Sequence, residues 1–480
     1  MKSLNELIVR SDQSIRDAMN TIARNERGIC FVVEVDNILI GVITDGDLRR
    51  ALLKGHSLDS NIKEAININF ISLHFSSQPD LIRRTFTKTL KLIPLCDEAG
   101  KLVDVADFQR SHRIPLLEPD LTGRELEYVR DCIETNWISS QGNYVHRFEA
   151  QFEEMHSGMH AIAVSNGTVA LHLALHGLGI GSGDEVIVPN FTFAATINAV
   201  LYCQATPVLC EIDPLTMCID VGEAEKLISS KTKAIIPVHL YGQSCDMDAI
   251  LSLSQRHNLL TIEDCAEAIG STWKEKPVGM FGDASIFSFF GNKTISTGEG
   301  GMVLIKNLEI YKQARILRDH GMHLERKYWH EHVGFNYRLT NLQAAIGVAQ
   351  MERLNQIVKK KRKIADLYSS SLNELAKVIQ LPTIKDQSIH SNWLYTVILR
   401  HEVDRDQVLL QLLEAGIEAR AVFYPLNQMP PYNKFKTSEN VCHSIRASRS
   451  GISLPSSVSL IEEEINYVAD MLKNILKFYD

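Results

Sequence analysis

The sequence lacks any hydrophobic run that approaches the roughly 18 residues of a membrane-spanning helix. Its first residues also lack the apolar core of a signal peptide. Basic residues are not in surplus, because 50 Lys and Arg stand against 58 Asp and Glu, a net charge of -8. We therefore expect a cytoplasmic protein that binds neither membrane nor nucleic acid, although a local basic pocket for phosphates is compatible with this charge.

Paired cysteine motifs are absent as well. The nine cysteines are scattered along the chain, their number is odd, and no C-x-x-C pair occurs. This pattern indicates neither a disulfide framework nor a zinc site. We expect buried free thiols and no bound metal.

What the chain does have is a composition typical of a globular protein with a large core, with 45% hydrophobic and 22% charged residues. Near the N-terminus, an apolar–turn–apolar pattern at 31–43 recurs at 92–103. Each copy follows a stretch with helical periodicity, at 12–26 and at 78–88. The duplication predicts two stacked αβ units, each with a strand hairpin.

The amino-acid composition changes at 110–123, and the two prolines of this segment predict a linker. The sequence Thr122-Gly123-Arg124-Glu125 matches a capping box. The helix that it opens would place the apolar residues Leu126, Val129 and Ile133 on one face.

Short apolar runs then alternate with helical segments, which predicts a mostly parallel, doubly wound α/β sheet. These runs are 161–164, 185–188, 207–210, 234–238 and 259–262. Farther on, the basic run Lys359–Lys363 predicts a solvated helix face, with an oligomer contact as the alternative. A smaller αβ unit ends the chain, so the predicted domains are 1–112, 113–345 and 346–480.

The candidate catalytic residues lie around Lys293, which is between an apolar strand and a glycine-rich turn. Asp264 ends an earlier predicted strand, and ligands of such sheets bind at the carboxyl ends of strands. A lysine that forms a Schiff base and an aspartate that protonates a pyridine nitrogen are the two groups that pyridoxal phosphate (PLP) requires. The structural alternatives are a helix-capping Asp264 and a solvated Lys293.

A phosphate site should accompany these groups. Gly167 and Thr168 lead from a strand into a helix, and amides at a helix N-terminus suit a phosphate, although Ser-Asn-Gly-Thr is also an ordinary helix cap. The glycines at 177–183 fail the G-x-G-x-x-G spacing and follow a helix. They predict a turn and argue against a dinucleotide site.

Five motifs in order resemble the fold-type I, PLP-dependent sugar-nucleotide aminotransferases of the DegT/StrS family over about 113–480. They are 188–196 (VPNFTFAAT), 238–243 (VHLYGQ), 263–268 (EDCAEA), 288–293 (SFFGNK) and 334–338 (GFNYR). The segments 136–142 and 328–338 are similar to the 4-aminotransferases of the GDP-perosamine synthase type. The implied fold is aspartate-aminotransferase-like: the doubly wound sheet plus a small C-terminal αβ domain.

The resemblance implies a role for each site residue. Lys293 would form the Schiff base with PLP, Asp264 would meet the pyridine nitrogen, and Phe193 would stack on the ring. The phosphate would be held by Gly167, Thr168, Ser288 and, from the partner subunit of an obligatory homodimer, Asn336. Glu267 also falls in the cofactor site, at a position where many relatives have Gln or His.

The resemblance further implies the reaction. Lys293 stands where the dehydratase branch of the family has a His, which favours amino transfer. We expect transfer from L-glutamate to C4 of a nucleotide-linked 4-keto-6-deoxy sugar, for a surface polysaccharide such as an O-antigen. The alternatives are a 3-aminotransferase and a nucleotide-sensing regulatory protein with a vestigial aminotransferase scaffold.

The N-terminal pair resembles tandem CBS (cystathionine-β-synthase-type) domains. The segment 41–50 matches the stretch whose Thr and Asp contact a nucleotide, which here are Thr44 and Asp47. The second copy has Asp107 but lacks the threonine. Two functions stay open for the pair, a nucleotide effector site and a dimerisation module without a ligand.

Overall fold

The computed structural model describes residues 4–479 except 26, 78–80, 83–84, 88–89, 109–113, 386, 401–402 and 478. The chain forms two compact units, Met1–Arg113 and Ile114–Asp480. The first residues of the predicted linker lie outside the described residues. In the part of the chain that is described, no helix combines the length and the apolar composition needed to cross a lipid bilayer.

Two small sheets of one design make up the first unit. In each, a first strand runs parallel to a central strand, which pairs antiparallel with a third. In chain order the elements are β1 (Ile8–Arg10), α1 (Ile15–Asn25), β2 (Ile29–Val33), β3 (Leu39–Thr44), α2 (Asp45–Leu53), β4 (Leu73–His74), β5 (Leu92–Cys96) and β6 (Leu102–Asp107). Both predicted hairpins and the first predicted helix are confirmed, while the helix predicted at 78–88 lies largely outside the described residues.

Local chemistry explains the first hairpin and the packing of the two sheets. Asp36 and Asn37 form its turn with φ of 64° and 62°, a left-handed conformation that short polar side chains tolerate. The two sheets then bury one shared core of Leu7, Phe31, Val33, Val42, Leu92, Cys96 and Leu102. Each sheet therefore depends on the other for the burial of its apolar face.

A seven-stranded sheet lies at the centre of the second unit. Its strands are β7 (His160–Val164), β8 (Glu185–Pro189), β9 (Thr206–Cys210), β10 (Thr232–Ile235), β11 (Leu260–Asp264), β14 (Ala284–Ser288) and β15 (Gly301–Ile305), while β12 (Thr272–Trp273) and β13 (Lys276–Pro277) form a hairpin outside it. The order is β7–β15–β14–β11–β10–β8–β9. Among these strands only β15 runs antiparallel to its neighbours, so the predicted mostly parallel sheet is confirmed.

Helices cover both faces of this sheet, as the alternation along β7 shows. Ile162 and Val164 belong to one buried cluster, whereas Ala161 and Ala163 belong to another on the opposite face. The helices are α3 (Glu125–Glu134), α4 (Asn143–Met155), α5 (Gly167–Gly177), α6 (Ala194–Tyr202), α7 (Val221–Leu227), α8 (Met247–His257), α9 (Leu308–Arg318), α10 (Asn341–Glu352) and α11 (Leu354–Leu372).

A second, antiparallel sheet follows in the C-terminal part, in the order β16–β18–β20–β19. The elements are β16 (Ile379–Gln380), β17 (Ser388–Ile389), β18 (Tyr395–Leu399), α12 (Arg405–Glu414), β19 (Arg420–Ala421), α13 (Cys442–Ser450), β20 (Gly451–Leu454) and α14 (Glu462–Leu476). The C-terminal part of the second unit thus contains both strands and helices. Its predicted boundary at 345 falls within α10, and this division of the second unit stays a prediction.

The predicted capping box at the start of α3 is wrong. Thr122 Oγ1 donates to Asp120 Oδ1 at 2.6 Å, and the residue before the helix, Arg124, makes no side-chain cap. Glu125 is buried and accepts a bond from the Gln350 side chain at 2.6 Å. Glu125, the acidic residue of the predicted capping box, therefore contacts α10 instead of capping α3.

The apolar residues predicted to share one face of α3 do not form its buried side. Leu126 and Ile133 are 71% and 59% exposed, whereas Tyr128 and Cys132 are buried. Tyr128 OH donates to the Glu352 carboxylate at 2.7 Å. The side of the helix that faces α10 is thus the side with Tyr128 and Cys132, where the buried tyrosine ring has a polar partner.

The solvated-face prediction for Lys359–Lys363 fails at its centre. Lys361 is only 3% exposed, and its Nζ donates to the carbonyls of Trp393 and Ser456 at 3.0 and 2.8 Å. Burial lowers the pKa of Lys361 to about 7. Of the nine cysteines, eight are buried as expected, but Cys442 is exposed.

Candidate active site

Lys293 lies in the turn after β14, at the carboxyl end of the central sheet. Its side chain is 14% exposed, and its Nζ is 3.6 Å from Glu267 Oε1. The other carboxylate oxygen of Glu267 accepts the backbone N–H of Tyr241 at 2.9 Å. Burial raises the pKa of Glu267 to about 7, while the Lys293 ammonium and the Tyr241 amide act in the opposite direction.

Asp264 is the last residue of β11, and its side chain is buried. Thr196 Oγ1 donates to Oδ2 at 2.9 Å, and the backbone N–H of Ala266 donates to Oδ1 at 3.1 Å. Burial nevertheless raises the pKa of Asp264, against the hydrogen bonds and the nearby Lys293. The carboxylate does not cap a helix; it lies in the site, where a cationic group would stabilise its charged form.

The predicted phosphate residues come together where α5 begins. Asn166 caps the helix by accepting the N–H of Val169 at 3.0 Å, and the first-turn amides of Gly167 and Thr168 have no acceptor within the helix. Gly167 packs against the last residue of β14, since a Cβ built on it would lie 2.8 Å from Ser288 Cβ. The helix N-terminus and the strand end thus form one cradle.

Phe193 precedes α6 and is 60% exposed, with its ring centroid 6.0 Å from that of Phe423. Its exposed face is available for stacking. Asn336 is exposed, and Arg338 Nε donates to its Oδ1 at 3.1 Å. Its contribution to a partner subunit's site stays a prediction.

Two aromatic residues of the site received no role from the sequence. Tyr241 has φ of 53°, an unusual conformation for a bulky residue that is characteristic of functional loops. Its ring stacks on that of Trp393 at 6.0 Å and 8°, and the Trp393 ring centroid is 4.1 Å from Lys293 Nζ. Tyr241 lies within a motif of the resemblance, but no sequence signal marks Trp393, which is 100 residues from the lysine.

A buried carboxylate beside Asp264 was missed as well. Glu263 accepts the N–H groups of Gly279, Phe281 and Gly282, each at 2.8 Å. His239 Nε2 is 3.1 Å from the same carboxylate, and these donors outweigh burial and lower the pKa of Glu263. Glu263 fixes the end of β11 and hence the position of the neighbouring Asp264.

In the first unit, Thr44 and Asp47 bind each other. Thr44 Oγ1 donates to Asp47 Oδ2 at 2.6 Å, and together they form the capping box of α2. Arg50 Nη2 pairs with Asp47 Oδ1 at 2.5 Å. These contacts account for both residues structurally, and a nucleotide contact stays a prediction.

The residues of the second unit fit PLP on three observations. A cradle of helix amides, closed by Gly167 against Ser288, suits the phosphate. A buried carboxylate without a cationic partner in hydrogen-bond contact, Asp264, suits the pyridine nitrogen. Lys293 and the exposed ring of Phe193 complete the set. The fold and the site together define the class of fold-type I, PLP-dependent enzymes.

Comparison with known proteins agrees with this class and identifies the family. The DegT/DnrJ/EryC1/StrS aminotransferase family matches residues 119–473, and the CBS domain matches residues 2–54. The chain belongs to the DegT/DnrJ/EryC1/StrS aminotransferase family, whose members depend on PLP. The second N-terminal copy lies outside the CBS match.

Similar relatives include two GDP-perosamine synthases. That of Escherichia coli O157:H7 is 44% identical and that of Caulobacter vibrioides 46% identical, each over 76% of this chain and 98% of the relative. Among solved structures, the Streptococcus pneumoniae protein Spr1654 in its PLP form superimposes with a TM-score of 0.72 at 27% identity, covering 76% of this chain and 99% of that one. A PMP form of the same protein matches equally, with a TM-score of 0.72.

Proposed function

We propose that the enzyme transfers an amino group from L-glutamate to C4 of a nucleotide-linked 4-keto-6-deoxy sugar. The observation that carries this proposal is the Lys293, Glu267 and Asp264 cluster in a chain 44–46% identical to GDP-perosamine synthases over 98% of their length. The 3-aminotransferase and regulatory alternatives have no comparable support. The expected product would serve a surface polysaccharide, and the expected compartment is the cytoplasm.

In this proposal PLP supplies an electron sink for charge that develops on the amino-group carbon. Lys293 holds the cofactor and moves a proton at its Nζ. The Asp264 carboxylate stabilises a positive pyridine nitrogen, and Thr196 and Glu263 keep that carboxylate in place. Gly167, Thr168 and Ser288 would hold the phosphate, and Phe193 would stack on the ring.

Glu267 has a defined part in the same proposal. It lies 3.6 Å from the Lys293 Nζ, and its pKa of about 7 lets it hold or release a proton near neutral pH. A Gln at this position could donate and accept hydrogen bonds but could not take a proton from the lysine. Glu267 would therefore tune how readily Lys293 changes its protonation state.

The proposal includes a homodimer in which Asn336 of one subunit completes the phosphate site of the other. The motif 334–338 from which this expectation comes lies in a segment whose side chains Val333 and Tyr328 are 93% and 88% exposed. Such exposed apolar residues are typical of association surfaces. For the N-terminal unit, the match to a CBS domain supports either a nucleotide effector site or an assembly role.

The decisive experiment starts from the absorption spectrum of the purified protein with PLP, before and after L-glutamate. A visible band that glutamate converts to the pyridoxamine form would support the first half of the reaction. Incubation with 3-keto and 4-keto sugar nucleotides would then identify the acceptor. A folded protein that shows no band with PLP would refute the proposal.

Lys293→Ala tests whether the lysine is needed, with Lys312→Ala as its control because Lys312 pairs with the exposed Glu309. We expect the Lys293 variant to lose the band and about 100- to 10,000-fold in turnover. Full turnover in that variant would exclude Lys293 from the mechanism.

A further inference from the structure

Trp393 makes three contacts around the lysine turn, although it comes from the C-terminal part of the chain. Lys293 Nζ lies over its ring, 4.1 Å from the ring centroid. Its Nε1–H donates to the carbonyl of Asn292 at 2.6 Å, directly before the lysine. Its ring also stacks on that of Tyr241, whose backbone N–H donates to Glu267. One indole thus contacts the lysine, the turn that bears it, and the loop that orients its carboxylate partner.

The backbone of Trp393 is itself held in place. Lys361 Nζ donates to its carbonyl at 3.0 Å and to that of Ser456 at 2.8 Å, from a fully enclosed position on α11. On the other side, Gly242 has φ of 103°, and a Cβ there would lie 3.0 Å from the Trp393 N. The chain at 393 is therefore pressed against the 240–242 loop, with little freedom to shift.

The Lys293 ammonium consequently lies between a carboxylate and an aromatic face. Glu267 attracts it through charge, and the Trp393 ring attracts it through its quadrupole. A flexible lysine side chain has about four rotatable bonds, so two attractive partners restrict where its nitrogen can be.

We propose that Trp393 is a positioning residue for Lys293, anchored by the buried Lys361, so that the C-terminal part of the chain sets the location and reactivity of the catalytic amine. This inference rests on the proposed role of Lys293. Its test is read on the lysine in cofactor-free protein and does not depend on the sugar substrate, so that the two proposals can fail separately.

The test measures the rate at which Lys293 is acetylated by a pulse of acetic anhydride at fixed pH, relative to Lys312 in the same digest. The full-length, cofactor-free protein is used. We expect Trp393→Leu to raise the ratio about 5- to 30-fold, the range for a partly desolvated cation–π contact, and Trp393→Phe to lie closer to the wild type. Trp273→Leu is the matched control, because Trp273 is also buried in the second unit but belongs to another cluster.

Truncation to Leu could also act by opening the site or by preventing folding. Replacing Trp393 by 5-fluorotryptophan and by 5,6-difluorotryptophan retains shape and N–H while weakening the ring quadrupole. A labelling ratio that rises stepwise with fluorine number is the expected result. An unchanged ratio across the fluorinated series, or an equal rise in Trp273→Leu, would overturn the proposal.

Discussion

Lys293 Nζ and Glu267 Oε1 lie 3.6 Å apart at the carboxyl end of the central sheet, and both side chains are largely buried. The lysine does not fully offset the effect of burial on its partner, because burial raises the pKa of Glu267 to about 7 even with the lysine beside it. The carboxylate therefore costs stability when it is ionised in the cofactor-free protein. That cost is the signature of a group kept for chemistry more than for folding.

Glu267→Gln should stabilise the cofactor-free protein at pH 8. The folded pKa of about 7 is above the ordinary value of 4.5, so the native state binds more protons between these values, and wild-type stability falls as pH rises through that window. The variant has no carboxylate at position 267, so this fall in stability should be absent from it. Urea unfolding at pH 5 and 8 measures it, with the exposed Glu299→Gln as control.

The same variant should lose activity while gaining stability, since an amide cannot accept a proton from Lys293. A variant that is no more stable than the wild type at pH 8, or whose advantage persists unchanged at pH 5, would contradict the assigned pKa. Retention of full turnover would limit Glu267 to a structural part.

Gly167→Ala should weaken PLP binding by about tenfold or more. An added Cβ would lie 2.8 Å from Ser288 Cβ, and overpacking of this kind costs about 1–3 kcal/mol. The added methyl would separate the helix N-terminus from the strand end that closes the cradle. Titration of the cofactor by visible absorption gives the dissociation constant.

Gly181→Ala is the control for that change, because nothing lies within 4 Å of a Cβ built there. It should bind PLP as the wild type does. If Gly167→Ala also binds normally, the phosphate is held elsewhere.

The sheet and the lysine window could be predicted from the sequence because both depend on local patterns. Apolar runs bounded by turns predicted the strands, and Lys293 and Asp264 lie at strand ends that any doubly wound sheet brings together. Trp393 could not be predicted, since its contact with Lys293 depends on how the C-terminal part packs. The burial of Tyr128 on α3 could not be predicted either, since its polar contact with Glu352 across 224 residues leaves no mark on helical periodicity.

Lys361→Met should change how stability depends on pH. Burial lowers the pKa of Lys361 to about 7, from an ordinary 10.5. Between these values the unfolded chain binds the proton and the native protein does not, so wild-type stability should rise with pH by at most about 1.4 kcal/mol per pH unit. The variant should lack this rise, and unfolding midpoints at pH 7 and 9.5 test it.

The exposed Lys359→Met, on the same helix, supplies the control and should retain the wild-type slope. Parallel stability curves for the wild type and Lys361→Met would show that the buried amine stays protonated in the native state through this window. The predicted loss of the Trp393 anchor would appear separately, as faster acetylation of Lys293 in Lys361→Met.

Thr44→Ala separates the capping role of Thr44 from a nucleotide role. Removal of the hydroxyl that binds Asp47 should cost about 1 kcal/mol, as for other caps, and hydrogen exchange of α2 should report it. Thr340→Ala is a matched control, because Thr340 forms the same kind of box with Gln343 at the start of α10. If Thr44 serves only as a helix cap, Thr44→Ala should bind nucleotides as the wild type does. Calorimetry with ATP and AMP measures this binding. If the wild type binds either nucleotide and only Thr44→Ala loses it, Thr44 serves the effector site, and the capping box is the resting arrangement of a ligand contact.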